Sequence, residues 1–323
     1  MTSFFHCLVA FILAAFGAYL LTPVVEQLAR TAGVVRLPRA RDVHVGAMPL
    51  WGGLAIVVAT LMAILLTVPL TGQHQRSLAG IVIGSLIITM FGVLDDKYDL
   101  HALIQLLILM GVGWLITVFG IKMSFISNPF GPGTIDLDLL HLSVPVTIIW
   151  VVCVTKATDI IDGVDGLAAG ISAISAGTLA LMAIQQTAQR NVIAALMAAA
   201  LAGSCVGFLR HNFNPARIFM GTVGAQFLGF MLACLTMISL TKVATVTTVF
   251  ISVMVLGVPV IDAAFVTLKR LVTMQPLHKA DKGHVHHRLL KRGLTQRQTV
   301  YVLYAVSLVF CAAAVLMYTF QRH

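Results

Sequence analysis

Ten stretches of this chain, near residues 4–26, 50–70, 78–94, 102–120, 143–158, 163–184, 191–209, 223–240, 246–268 and 299–319, are apolar almost without interruption. Runs of about 17–25 apolar residues are long enough for a helix to cross a hydrocarbon core roughly 30 Å thick. They do not alternate between polar and apolar, which argues for helices rather than barrel strands. Inside lipid each backbone polar group must be satisfied within a helix or a closed barrel. Composition agrees, with 59% hydrophobic and 10% charged residues and a mean hydropathy of +0.97, outside the soluble globular range. The expected fold is all-α, a polytopic integral membrane helical bundle of about ten transmembrane helices. It is read as a single membrane-embedded domain over 1–323, since no linker, repeat or low-complexity segment divides it. The fifth stretch is the weakest, because it contains Pro145 and runs into polar residues at Lys156. The first is read as a helix and not a signal peptide, because Pro23 to Ala29 offers no small-residue cleavage site.

Basic residues set the expected orientation. Of the 21 Lys and Arg, one side of the bundle holds only Arg76, Lys122, Arg190, Lys242 and Arg322. The basic-rich side is therefore expected in the cytoplasm, with loops near 27–49, 95–101, 156–166, 210–222 and 269–298 and both termini outside. The net charge of +9 serves topology and contact with anionic lipid or phosphate, so no nucleic acid is expected. Five cysteines, all in apolar stretches, suggest small core residues and no disulfide framework. Among the aspartates, Asp136 and Asp138 fall on the outer side. Asp42, Asp95, Asp96, Asp99, Asp159, Asp162, Asp165 and Asp281 gather in or beside cytoplasmic loops. Carboxylates at the mouths of separate helices, all on one face, point to a shared site more than to solvated loop ends.

Four constellations carry this chemistry. In "FGVLDDKYD" (91–99) three acids close a helix, and adjacent carboxylates favour a divalent cation or a proton-accepting role. In "TKATDIIDGVDG" (155–166), Asp159, Asp162 and Asp165 recur every third residue, so in a helix they would lie near one face, while Gly163 and Gly166 let the chain break. The competing reading is a solvated turn, against which stands the scarcity of acids, 12 in the whole chain. "RHNFNPARIFMGTVG" (210–224) leads a basic loop into a helix start whose N–H groups suit an anion, although Gly and Thr there also suit a plain cap. "PLHKADKGHVHHRLL" (276–290) carries three clustered histidines. A zinc reading lacks a matching cysteine set, and phosphate contact fits the adjacent basic residues better.

The order of "GVLDDKYDL", "IIDGVDGLAAG", "NFNPARIFMG" and "DKGHVHHRLLKRGLTQRQTV", with "VHVGAMPLWGG" near residue 44, resembles the polyprenyl-phosphate N-acetylhexosamine-1-phosphate transferases over nearly the whole chain. Within that family it is most similar to bacterial undecaprenyl-phosphate N-acetylglucosamine-1-phosphate transferases that start teichoic acid, O-antigen or arabinogalactan assembly. The resemblance implies transfer of a sugar 1-phosphate from a UDP-N-acetylhexosamine to undecaprenyl phosphate, with release of UMP, at the bacterial cytoplasmic membrane. It implies Mg²⁺, for which Mn²⁺ is an admissible substitute. Membrane lipid is the surrounding partner, and a homodimer is compatible with such a bundle. By the same resemblance Asp95, Asp96 and Asp162 are the expected catalytic residues. His44, Lys97, Asp159, Asp165, Arg217, His284, His286, His287 and Arg288 are expected at the substrates, and Asp95, Asp96, Asp159 and Thr222 at the metal.

The chain departs from that pattern at several polar positions. Family members usually read Met-Gly-Asp-x-Gly where this chain has Met220-Gly-Thr-Val-Gly224, and a Thr222 hydroxyl is a poorer ligand than a carboxylate for a hard dication. The family's Asn-Ala-x-Asn is Lys156-Ala-Thr-Asp159 here, the Lys expected after the first acidic motif is Gln105, and the basic residue before the Gly-Gly pair is Leu50. Either the site is rebuilt, with Asp159 supplying charge and Lys156 part of the metal's work, or the chain is a weak paralogue that binds lipid phosphate or nucleotide sugar. A transporter is the third reading. It would place ionisable residues near mid-membrane, where Asp262 alone comes close.

Overall fold

The computed structural model describes residues 2–36, 47–68, 75–127, 134–185, 189–239, 248–274 and 283–320. Its helices are α1 (Thr2–Thr31), α2 (Gly52–Thr67), α3 (Gln75–Tyr98), α4 (Ala102–Val118), α5 (Ser143–Ile161), α6 (Leu167–Ile184), α7 (Gln189–Asn212), α8 (Gly221–Ser239), α9 (Thr248–Val255), α10 (Gly257–Val272), α11 (Val285–Lys291) and α12 (Gln296–Phe320). Two small antiparallel ribbons, which the all-α reading did not include, join them. β1 (Val35–Arg36) pairs with β2 (Met48–Pro49), and β3 (Phe125–Ser127) pairs with β4 (Thr134–Asp136).

Each of the ten apolar stretches is helical. Seven helices, α1, α3, α5, α6, α7, α8 and α12, are long and apolar enough to cross a membrane. The helices α2 and α4, of 16 and 17 residues, fall just short, and the ninth stretch is broken at Leu256 into α9 and α10. The fifth is stronger than its composition suggests. Pro145 lies in the first turn of α5, where its missing N–H removes no helical bond, and the helix continues through Lys156 and Asp159 to Ile161.

Large side chains such as Phe4, Phe16, Leu66, Leu107, Val309 and Leu316 face outward, the surface expected of a bundle solvated by lipid. The core centres on α8, buried from Val223 to Ser239 and packed against α2, α3, α5, α6 and α7. Small residues permit that packing. A Cβ on Gly53 of α2 would overlap the backbone of Gly224 on α8, so the two helix starts meet main chain to main chain. The contact is reinforced where Gly52 and Gly53 donate to the Phe219 and Met220 carbonyls. Of the cysteines, Cys7, Cys205, Cys234 and Cys311 are buried as expected; Cys153 instead is exposed on α5.

Candidate active site

The C-terminal end of α3 and the N-terminal end of α8 meet through a carboxylate. Asp96 Oδ1 accepts the Thr222 N–H at 2.8 Å, and Oδ2 lies 3.5 Å from the Val223 nitrogen. The first N–H groups of a helix have no partner inside it and carry the positive end of its dipole, so an anion there is favoured. The anion at this helix start is the protein's own. Gly221 makes the approach feasible: it has φ of +73°, and a Cβ there would overlap the Asp96 carboxylate.

The neighbouring Asp95 is buried and faces the other way. Its Oδ1 accepts the Leu100 N–H at 3.1 Å and Gln105 Nε2 of α4 at 2.7 Å, while among the described residues its Oδ2 takes no hydrogen bond. Gln105 Oε1 in turn accepts from Lys156 Nζ of α5 at 2.5 Å, and the same ammonium donates to Asp159 Oδ2 at 3.0 Å. A continuous path thus runs from Asp95 to Asp159 through an amide and an ammonium.

The three acids of the second motif do not share a helical face. The chain leaves α5 after Ile161, with Asp162 at φ −76°, ψ 45°, and Gly166 at φ +78° opens α6. Asp159 therefore stays on the helix, Asp162 stands in the turn, and Asp165 turns inward. Asp165 Oδ2 accepts Asn214 Nδ2 at 3.0 Å and the Ala216 N–H at 3.2 Å, which ties the turn to the 210–224 loop. Asp162 keeps part of its surface open, yet a dense protein shell and the charges of Asp159, Asp96 and Asp165, offset by Arg36, push its carboxyl up to about 7.

The histidine helix meets the turn of the second motif at Gly163. His284 Nδ1 lies 2.9 Å from Asp262 Oδ2, and the Val285 N–H donates to Asp262 Oδ1 at 2.8 Å, so one α10 carboxylate holds both the ring and the start of α11. His286 is buried, its Nε2 2.8 Å from the place a Gly163 Cβ would occupy, and its ring lies 4.3 Å from that of His287. Burial, with the neighbouring His287 and His284, pulls its pKa down to about 4 despite Asp262.

Asp95, Asp96, Thr222, Asp159, Asp162, Asp165, His284, His286 and His287 thus converge at one end of the bundle. Lys97, over the Tyr98 ring, Arg288, over the Phe265 ring, and Arg217 are exposed at its margin. His44 lies outside the described residues. Sequence reasoning had set Asp262 aside as a transporter feature. Its signal was present, an acid in an apolar helix, but its partner lies 22 residues away.

Among the described residues no group of three His, Cys, Asp or Glu side chains could by itself hold a metal ion. Magnesium does not require such a cage, because one or two carboxylates plus substrate phosphates hold it. Asp95, with its uncommitted Oδ2, fits that arrangement, and hard oxygen donors from Asp96, Asp159 and Thr222 stand on the adjoining helix ends.

The sequence model of glycosyl transferase family 4 matches residues 78–240, which span the acid-bearing ends of α3 and α5 and the start of α8 that Asp96 caps. The chain is also 37% identical over 309 residues to a probable undecaprenyl-phosphate N-acetylglucosaminyl 1-phosphate transferase of Bacillus subtilis, covering 96% of this chain and 84% of that protein. The chain belongs to glycosyl transferase family 4. It is 30% identical to a decaprenyl-phosphate N-acetylglucosaminephosphotransferase of Mycobacterium leprae, over 90% of this chain and 78% of the relative. A phospho-N-acetylmuramoyl-pentapeptide-transferase of Heliobacterium modesticaldum shares 33% identity over 83% of each chain.

Proposed function

We propose that this chain transfers N-acetylglucosamine 1-phosphate from UDP-N-acetylglucosamine to undecaprenyl phosphate, with Mg²⁺, at the cytoplasmic face of a bacterial inner membrane. The product is a lipid-linked diphosphate sugar and UMP, the first step of an envelope polymer. The observation that carries the reading is the meeting of Asp95, Asp96, Asp162 and the histidine helix at one bundle end, in a chain so similar to a probable undecaprenyl-phosphate N-acetylglucosaminyl 1-phosphate transferase.

In the reaction an oxygen of the lipid phosphate attacks the sugar-bearing phosphorus of the nucleotide sugar. A new P–O bond forms, the bond to the bridging oxygen breaks, and UMP departs with that electron pair. Asp95, whose Oδ2 takes no hydrogen bond among the described residues, is the base that takes the lipid phosphate's proton. Asp96 keeps the start of α8 in place beside it. His284 and His287, with Arg217 and Arg288 at the margin, receive the nucleotide's phosphates, and the buried His286 between them holds the helix against Gly163. A magnesium ion held by Asp95, Asp96, Asp159 and Thr222 would neutralise charge developing on the diphosphate.

A second reading, a binding paralogue of low activity, takes its support from Thr222 and from an Asp96 engaged by helix amides. Incubating purified protein with both substrates separates the two. Lipid-dependent release of UMP supports the transferase, and binding without release supports the paralogue.

A further inference from the structure

Lys156 and Asp159 stand three residues apart on α5, with side-chain exposures of 30% and 24%. A partly exposed pair of this kind, taken alone, is ordinarily worth about 1 kcal/mol or less and decides nothing. Here the ammonium also donates to Gln105, 51 residues away, and Gln105 donates from its other end to Asp95. An amide engaged at both ends loses both bonds if it flips, so its neighbours fix its orientation. The bridge joins the helix end at Asp95, α4 and α5, and it holds a positive charge between Asp95 and Asp159.

Phosphate-bearing substrates entering beside Asp95, Asp96, Asp159 and Asp162, carboxylates close enough to act on one another, would meet like charge. Among the described residues two of the three Lys156 N–H donors are engaged, which leaves one for an incoming oxygen, and Arg36 brings a second positive charge toward the neighbouring Asp162. We propose that Lys156 is the fixed phosphate-holding cation of this site, tethered by Gln105 and Asp159, and that Gln105 is the positioning residue that couples Asp95 to it. The proposal rests on the transferase reading only in taking the phosphate to be that of the nucleotide sugar or of the lipid.

The test uses the full chain in detergent, with dissociation constants taken from melting-temperature titrations against UDP-N-acetylglucosamine and, separately, undecaprenyl phosphate. Lys156→Met is expected to weaken one of the two by about tenfold or more, the loss of a charge-assisted hydrogen bond, and the arm affected names the phosphate held. Lys156→Arg should restore most of that affinity. Gln105→Met should leave both constants within about twofold while lowering kcat, as a positioning role requires. If Lys156→Met does not fold, Lys156→Gln removes the charge while keeping hydrogen-bonding groups for both neighbours. Both constants staying within twofold in a folded Lys156 variant overturns the proposal, as does a parent protein that responds to neither ligand. Ligand binding by a parent that never turns over removes the transferase reading instead, and Lys156 is then judged on the constants alone.

Discussion

Asp96 on α3 caps α8, with its Oδ1 accepting the Thr222 N–H at 2.8 Å. A cap of this kind contributes about 1 kcal/mol, and it places a carboxylate where the helix dipole is positive. The neutral Thr222 side chain also faces that carboxylate without repelling it.

Thr222→Asp would bring a second carboxylate against Asp96. In metal-free buffer the variant should be less stable than the parent by about 1 kcal/mol or more, since adjacent like charges each disfavour ionisation. Mg²⁺ should raise its melting temperature more than it raises the parent's, because the extra carboxylate is a better ligand. Equal magnesium responses in parent and variant would show that position 222 does not face the metal.

His286 gives a pH dependence. Its folded pKa of about 4 lies below the unfolded value of 6.5, so the unfolded chain binds more protons between these values. Stability from its neutral form is complete above pH 6.5 and falls as pH drops toward 4, by on the order of 2–3 kcal/mol. His286→Phe should therefore flatten the melting-temperature profile between pH 7 and 4. A variant whose profile keeps the parent's slope assigns the acid sensitivity elsewhere.

Asp262 acts through the histidine helix. Asp262→Ala removes both the His284 partner and the Val285 acceptor and should lower kcat/KM at least tenfold, mainly through KM for the nucleotide sugar. Asp262→Asn retains an acceptor for Val285 and should fall between. Full activity in Asp262→Ala would leave the carboxylate as a structural cap alone.

Orientation is open to labelling in a cysteine-free background. A thiol at Lys122, half-exposed beside Asp138 at 2.7 Å, should react with an impermeant maleimide from outside the cell, and one at the exposed Lys291 only after permeabilisation. Reaction of both from outside would place the histidine helix on the wrong face for a cytoplasmic nucleotide sugar.

The sequence exposed the helices because each apolar run is a local signal, readable without its neighbours. The break at Leu256 inside the stretch read as one span was not anticipated, although Gly257 and Pro259 follow it, and its use depends on Phe310 of α12, which packs where a Gly257 Cβ would stand. Acid positions were legible for the same local reason, while their assignments were not. Asp165 turns inward to Asn214 and Ala216, Asp96 to an α8 amide 126 residues on, and Gln105 to Lys156, pairings set by helix packing and invisible in any single window. Departures that looked like loss on the chain, an amide at 105 and an ammonium at 156, are hydrogen-bonded to each other in space.

The most direct measurement of the central claim follows a label on the sugar-bearing phosphate of UDP-N-acetylglucosamine, incubated with the purified chain, undecaprenyl phosphate and Mg²⁺. Transfer of the sugar 1-phosphate moves that label into the lipid fraction and leaves unlabelled UMP, and Asp95→Asn should reduce the signal by orders of magnitude. Label released as UDP, or no lipid product at any magnesium concentration, would contradict the account.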